Sequence, residues 1–288
     1  MKYQVIALFL ILSISSHAQE ELASFQFYSE GKELSFSEVA AQLSNSDVVL
    51  FGEYHDHAMV HWLQLKMAQE LMKKRKVALG GEFFETDDQL LLNELSAGIT
   101  PAKKFEAEAK LWPNYGTDYA PLIRLAVDSQ TTFIATNIPR RYASFVAKFG
   151  ADTLKKLPKE SRELLPPMPM PFSWETPGYT EMKDMMSGGH GMGMDPEKMV
   201  QAQALKDYTM AYNIIQNREK KELFFHVNGD FHSADYGGIY WYLKELKPKL
   251  DVQTIKIEQA KDPSDYQESW TGGGDFVLVV PSDFTKTH

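Results

Sequence analysis

The sequence has 288 residues, of which 43% are hydrophobic, so it is long and apolar enough to bury the core of one large domain. Its formal net charge is −9, so the chain as a whole would repel nucleic acid and anionic membrane surfaces. It contains no cysteine, which excludes disulfides, thiolate metal sites and cysteine nucleophiles. Any metal or haem iron must therefore bind His, Met, Tyr, Asp or Glu.

The first 18 residues read as a secretory signal. Lys2 precedes the apolar run Val5 to Leu12, and Ser16-His17-Ala18 fits the small-x-small rule of a signal peptidase site. The run is too short to span a bilayer, which needs ~20 apolar residues. We therefore expect export across the inner membrane and a mature chain, residues 19–288, that is periplasmic or associated with the outer membrane. With no cysteine to lipidate, we expect no lipid anchor.

Strands and helices alternate after this segment. Residues 24–36 read as a small hairpin that turns at Glu30 and Gly31. The predicted strands span 48–51, 77–84, 132–135, 223–227, 252–257 and 276–280, and the predicted helices span 59–72, 87–95, 102–110, 119–128, 141–149, 197–218 and 239–246. This alternation predicts a single α/β domain with a mostly parallel sheet and helices on both faces. Residues 158–196, rich in Pro, Gly and Met, predict a lid or helical insertion.

Polar motifs follow four of the predicted strands. In chain order they are FGEYH (51–55), GGEFFE (80–85), ATNIPRR (135–141) and VNGDFHS (227–233). The carboxyl ends of parallel strands lie along one edge of a sheet, where open α/β folds place their ligand sites. The sequence therefore predicts that residues far apart in the chain meet in one crevice.

Two of these motifs share the spacing Gly-x-x-His, with an acid directly after the glycine. Glu53 precedes His55, and Asp230 precedes His232. Together with Glu82, these side chains are candidates for catalysis, and all of them except Asp230 are candidate metal ligands. Such an acid could also simply cap the helix that follows. Burying the charges near the sheet would nevertheless cost several kcal/mol unless they pair or bind a ligand.

His57 and His61 also stand close to the first motif, four residues apart on a predicted helix. Zinc peptidases use this spacing with a glutamate directly after the first histidine. Ala58 occupies that place here. The spacing therefore does not indicate a zincin, and we expect these two histidines to pack on the helix or face solvent.

Eight of the 13 methionines lie between Met168 and Met199, around His190 in the segment SGGHGMGMD. Thioether and imidazole groups suit copper(I) or haem iron, although methionines of this kind can also form an apolar flap without ligands. The candidate axial ligands for haem are His190 and three tyrosines, Tyr179, Tyr208 and Tyr212.

Arg140 follows Pro139 at the end of the third predicted strand after the hairpin. Its guanidinium could bind a haem propionate or a substrate carboxylate through two parallel hydrogen bonds. The alternative is an ion pair with Glu82 or Asp230. The sequence leaves both interpretations open.

The chain resembles the ChaN family of haem-binding proteins, within the Tiki/TraB superfamily. The resemblance covers roughly residues 45–245 and rests on these segments: GEYHDHAMVHWLQLKMA, GGEFFETDDQ, LWPNYGTDYAPLIRLA, TNIPRRYASFVAKFG, HGMGMD, AQALKDYTMAYNIIQ and NGDFHSADYGG. It implies a ChaN-like α/β domain, and the superfamily's two Gly-x-x-His motifs and glutamate fall on His55, His232 and Glu82. Members of that superfamily include iron-regulated haem-binding lipoproteins and metal-dependent peptidases.

Two functions are consistent with these features. The first is an exported haem-binding protein for haem or iron uptake, whose partners are haem and an outer-membrane haem or iron transporter, and which could form a homodimer. The alternative is a Tiki-like peptidase or esterase, in which the Gly-x-x-His and glutamate side chains hold a divalent metal ion and activate water. The resemblance favours haem.

The signal predicts a defined mature terminus. Because Ser16-His17-Ala18 fits the signal peptidase rule, we expect the exported protein to begin at Gln19. Intact-mass spectrometry of protein recovered outside the inner membrane checks this, and an exported chain that retains Met1 would contradict it.

Overall fold

The computed structural model describes the backbone of residues 23–190 and 195–288, and the side chains of these residues except 189 and 190. The predicted signal, residues 1–18, and residues 191–194 of the predicted insertion therefore lie outside the described residues. No helix in the described ranges combines the length and hydropathy needed to cross a bilayer.

Strands of the described chain form one sheet. They are β1 (Gln26–Ser29), β2 (Lys32–Leu34), β3 (Val48–Glu53), β4 (Val77–Glu85), β5 (Phe133–Asn137), β6 (Leu223–Gly229), β7 (Val252–Ala260) and β8 (Phe276–Pro281). Their spatial order is β2-β1-β8-β7-β3-β6-β4-β5. Strands β3 to β8 pair in parallel, whereas β1 pairs antiparallel with β2 and β8. The mostly parallel sheet predicted from the sequence is confirmed.

Helices cover both faces of the sheet. They are α1 (Phe36–Leu43), α2 (Ala58–Met72), α3 (Gln89–Ser96), α4 (Ala102–Glu108), α5 (Ala120–Asp128), α6 (Arg140–Phe149), α7 (Lys159–Arg162), α8 (Tyr179–Met185), α9 (Pro196–Asn217) and α10 (Gly238–Leu246). Side chains of α1 to α5 pack on one face, and those of α8, α9 and α10 pack on the other.

The alternation of side chains along β3 explains why both faces need cover. Val49 and Phe51 point into the cluster formed with α1 to α5, whereas Val48 and Leu50 point into the cluster formed with α9 and α10. All four are fully buried. A strand buried on both faces reads in the sequence as a continuous apolar run, which is how β3 was recognised.

The sequence interpretation missed α1, although its start carries a signal. The Ser35 hydroxyl accepts a hydrogen bond from the Glu38 amide, and the Glu38 carboxylate accepts one from the Ser35 amide. This is the reciprocal capping box that the pattern Ser-x-x-Glu predicts. The hairpin interpretation extended to residue 36 and so covered the start of this helix.

The predicted insertion, residues 158–196, is partly helical because it contains α7 and α8. Tyrosine hydroxyls fasten it to the neighbouring helices. Tyr208 of α9 donates to the Pro167 carbonyl at 2.8 Å, and Tyr242 of α10 donates to the Pro171 carbonyl at 2.8 Å. The segment is thus attached to the face of the sheet that α9 and α10 cover.

Candidate functional site

The carboxyl ends of β3, β6 and β4 are neighbours in the sheet, and they bring the two Gly-x-x-His motifs together. Gly229 at the end of β6 lies between His55 and Glu82. A Cβ at this position would lie 2.8 Å from His55 Cε1 and 3.3 Å from Glu82 Oε2. Glycine therefore allows His55, which follows β3, and Glu82, which lies near the end of β4, to approach each other across the end of β6.

Glu53 and His55 are hydrogen-bonded to each other. The Glu53 carboxylate is buried, whereas the His55 imidazole is half-exposed. Nδ1 of His55 lies 2.9 Å from Glu53 Oε1. The Tyr119 hydroxyl donates to the same oxygen at 2.7 Å, and the Gln64 amide donates to Oε2 at 3.0 Å. Burial tends to lower the pKa of His55, but the hydrogen bond that its Nδ1 donates to Glu53 raises the pKa above its usual value.

His232 lies buried between two carboxylates. Its Nε2 is 3.0 Å from Glu82 Oε1, and its Nδ1 is hydrogen-bonded to Asp207 of α9. Burial alone would lower the pKa of this imidazole, but the charges of Glu82 and Asp207 raise it to about 10. His232 is therefore a buried cation, and both ring nitrogens donate to carboxylate oxygens.

Glu82 remains ionised despite its burial. Burial raises the pKa of Glu82, but the charge of His232 outweighs it and holds that pKa well below its usual range. The Glu82 Oε2 atom also accepts a hydrogen bond from the Gly229 amide at 2.8 Å. Asp207 accepts a further hydrogen bond from the Tyr179 hydroxyl at 2.8 Å. The site is thus a fully hydrogen-bonded ionic network, the form in which buried charges are tolerated.

Asp230 turns away from the two histidines. Its carboxylate accepts a hydrogen bond from the Ile257 amide of β7 at 2.9 Å, beside Gly52, whose missing side chain leaves room for it. Burial raises the pKa of Asp230 to about 7. The acid of the second Gly-x-x-His motif therefore fastens the turn to β7 and does not join the acids around His232.

Of the two neighbouring histidines, His61 contacts the first motif and His57 packs elsewhere. Nε2 of buried His61 lies 3.2 Å from the His55 carbonyl oxygen, and the Asn114 amide donates to that oxygen at 2.7 Å. His57 stacks on Phe284, with ring centroids 5.0 Å apart. His57 and His61 are both buried, so neither faces solvent.

Glu53, His55, Glu82 and His232 were also candidate ligands for a divalent metal. In residues 23–190 and 195–288, no group of three or more His, Asp or Glu side chains is arranged to hold a metal ion. The physical reason is that the imidazoles are paired with the acids. His232 in particular has no free lone pair while it donates from both nitrogens. The structure thus does not show the metal ligand set suggested by the sequence.

A separate cleft of about 970 Å³ lies on the other side of α9, between α9, the end of α6 and the insertion. The apolar part of its wall is formed by Phe149, Met168, Met170 and Phe172. Tyr212 also lines the cleft, and it lines a smaller cavity of about 260 Å³ as well. The cleft has the size and the apolar lining typical of cofactor sites.

The three candidate tyrosines have different environments. Tyr179 and Tyr208 are buried, and their hydroxyls donate to Asp207 and to the Pro167 carbonyl. Tyr212 is half-buried in the cleft, and no hydrogen bond to a described residue occupies its hydroxyl. The side chain of His190 lies outside the described residues.

Arg140 is exposed at the start of α6 and does not line the cleft. It forms no ion pair with Glu82 or Asp230, because His232 and the Ile257 amide satisfy those acids. The neighbouring Arg141 instead pairs with Asp87 at 2.6 Å.

Sequence reasoning missed the partners that organise the two motifs, above all Asp207, Tyr119 and Gln64. Only Asp207 carried a signal. It lies on the same stripe of α9 as the buried residues Val200, Ala204 and Ala211, and an acid on an apolar stripe indicates a buried partner. The pairing with His232 could not be identified without the fold.

We predict that His232→Ala lowers the free energy of unfolding by about 3–5 kcal/mol at pH 7, because Glu82 and Asp207 lose their buried cation. The wild-type contribution is fully present below pH 6.5, the unfolded value of the His232 pKa, and is lost as the pH rises toward about 10. Urea unfolding at pH 6, 7 and 9 measures both effects.

Adding Asp207→Asn to the His232→Ala variant should restore part of the stability, since it removes one uncompensated charge. A loss of less than about 1 kcal/mol in the single variant, with unchanged pH dependence, would show that His232 is not the charged centre of this network.

Similarity to known proteins supports one family. The family model described as haem-binding uptake, Tiki superfamily, ChaN matches residues 39–243. The fold is similar to ChaN of Campylobacter jejuni, with a TM-score of 0.67, 18% identity, and coverage of 88% of this chain and 96% of that one. It is more distantly similar to the type III effector HopBA1, with a TM-score of 0.46, 11% identity, and coverage of 85% and 93%. No curated protein is significantly similar in sequence. The family match spans more than half of the chain, and the chain therefore belongs to the ChaN family of haem-binding uptake proteins in the Tiki superfamily.

Proposed function

We propose that this chain is an exported protein that binds haem in the cleft between α9, α6 and the insertion. The observation that carries the proposal is the cleft itself, which combines an apolar wall with a tyrosine whose hydroxyl has no partner among the described residues. Membership of a haem-binding family supports it, and the Campylobacter jejuni protein with a similar fold is described as binding haem cofacially.

The walls of the cleft suit a porphyrin. Phe149 and Met168 are exposed although they are large and apolar, and with Met170 and Phe172 they offer aromatic and thioether surface to a flat ligand. Enclosing an apolar macrocycle against these side chains removes both surfaces from water, which is the main driving force for such binding.

Tyr212 is the residue that would hold the iron. Tyrosine oxygen is one of the ligands by which proteins hold ferric haem. The other two candidates, Tyr179 and Tyr208, already donate their hydroxyl protons to Asp207 and to the Pro167 carbonyl, so using either of them as the iron ligand would break an existing hydrogen bond. Tyr212 can bind without breaking such a bond.

The role in haem or iron uptake extends this proposal. The signal-like residues 1–18 support export, and the family is one of uptake proteins. An exported haem carrier would deliver its cargo to, or receive it from, an outer-membrane haem or iron transporter. The cofacial arrangement described for the Campylobacter jejuni protein makes a homodimer the oligomeric state to test.

Haemin titration of residues 19–288 tests the proposal. We expect a Soret band that saturates, together with a tyrosinate-to-iron charge-transfer band. Tyr212→Phe should remove the charge-transfer band and weaken binding by about tenfold or more, roughly 1.4 kcal/mol. It should leave the unfolding midpoint almost unchanged, because the lost hydroxyl has no partner in the described structure.

Tyr240→Phe is the matched control. Tyr240 is half-buried on α10 and lines neither cavity, so this variant should bind haemin as the wild type does. A wild-type protein without a saturable Soret band would overturn the haem proposal. An unchanged spectrum in Tyr212→Phe would overturn only the assignment of the ligand.

A further inference from the structure

The charged side chains that line the cleft are unevenly paired. Lys155 pairs with Asp152 at 2.7 Å, and Lys198 pairs with Asp195 at 3.1 Å. Glu197, a third lining acid, pairs with Lys183 at 2.7 Å. Three of the four acids that line the cleft are thus neutralised within the protein, and the fourth is Glu163.

Two lining cations remain without an acidic partner. Lys159 and Arg162 are exposed, and neither forms an ion pair with any acid in the described part of the chain. They belong to the single turn of α7, and residues three apart on a helix project from the same side. Both line the cleft, so they present two adjacent positive charges at its rim.

We propose that Lys159 and Arg162 bind the two propionates of the haem, an inference that rests on the proposed function. A haem carries both carboxylates on one edge of an otherwise apolar macrocycle, and α7 offers two cations at the rim of a cleft whose wall includes Phe149, Met168, Met170 and Phe172. The Arg162 guanidinium can take one carboxylate through two parallel hydrogen bonds, and the Lys159 ammonium can take the other as a point charge.

This arrangement assigns to α7 the role that the sequence suggested for Arg140. Arg140 has the right chemistry but lies outside the cleft lining. The lining cations Lys155 and Lys198 are in the right place, but recruiting them would break existing ion pairs. Lys159 and Arg162 line the cleft, and binding a propionate would not require them to break an ion pair with a described residue.

A comparison of haemin with haemin dimethyl ester tests the proposal, because the ester keeps the macrocycle and iron but lacks the carboxylate charges. The double variant Lys159→Ala/Arg162→Ala should bind haemin about tenfold more weakly than the wild type at low salt. Its affinity for the ester should differ from that of the wild type by less than about twofold. Tryptophan fluorescence quenching and the Soret band measure both affinities.

Lys103→Ala/Lys104→Ala is the matched control. These two lysines are exposed on α4, on the opposite face of the sheet, and removing them changes the net charge by the same amount. This variant should bind both ligands as the wild type does.

The outcomes separate the two proposals. Failure of the wild type to bind haemin would overturn the proposed function itself. Normal haemin binding by the α7 double variant would overturn the propionate assignment alone. Equal weakening for haemin and its ester would also overturn it, because the side chains would then be acting on the wall of the cleft or on the fold.

Discussion

The ion pairs of His232 hold together the parts of the structure on which the rest depends. Glu82 belongs to β4, His232 to the turn after β6, and Asp207 to α9, and the imidazole donates to both acids. One buried cation therefore joins two strand ends to α9. Through the Tyr179 hydroxyl on Asp207, the same network reaches α8 and fixes part of the insertion.

This network also determines where the cleft lies, because α9 separates the two. Asp207 and Gln203 face His232, whereas Gln201 and Tyr212 face the cleft. The helical period places these pairs on different sides of one rod. A helix held on one side by a fully desolvated ionic network cannot rotate or slide without exposing unpaired charge. The ionic network on one side of α9 thus fixes the position of the cleft wall on its other side.

Much of this arrangement could be read from the sequence, but only where the signal is local. Apolar runs such as residues 48–51 identified the strands, and the shared edge of a parallel sheet predicted that His55, Glu82 and His232 would approach each other. The hydrogen-bond partners of these side chains could not be predicted. Asp207 lies on α9 and Tyr119 directly precedes α5, and no local pattern specifies where these helices lie over the sheet. The capping box of Ser35 and Glu38 is also a local signal, and it marks the start of α1 in the sequence. The role of Asp230 depends on its hydrogen bond with β7, and only the order of strands in the sheet shows that β7 lies beside β3.

The tyrosines around α9 show why residue type is a weak guide to a cofactor site. Tyr179, Tyr208 and Tyr212 were equivalent candidates in the sequence, since each offers a phenol oxygen near the methionine-rich segment. Their environments make them different. Two of the hydroxyls already donate hydrogen bonds, one to Asp207 and one to the Pro167 carbonyl, and binding iron would break these bonds. The third residue, Tyr212, lines the cleft, and its hydroxyl has no hydrogen-bond partner among the described residues. The same distinction separates the cations of the cleft, because Lys155 and Lys198 are already paired, whereas Lys159 and Arg162 have no acidic partner among the residues that the structure describes. A ligand site in this fold is therefore defined by which groups the protein leaves unsatisfied, and that property emerges only when the long-range contacts are in place.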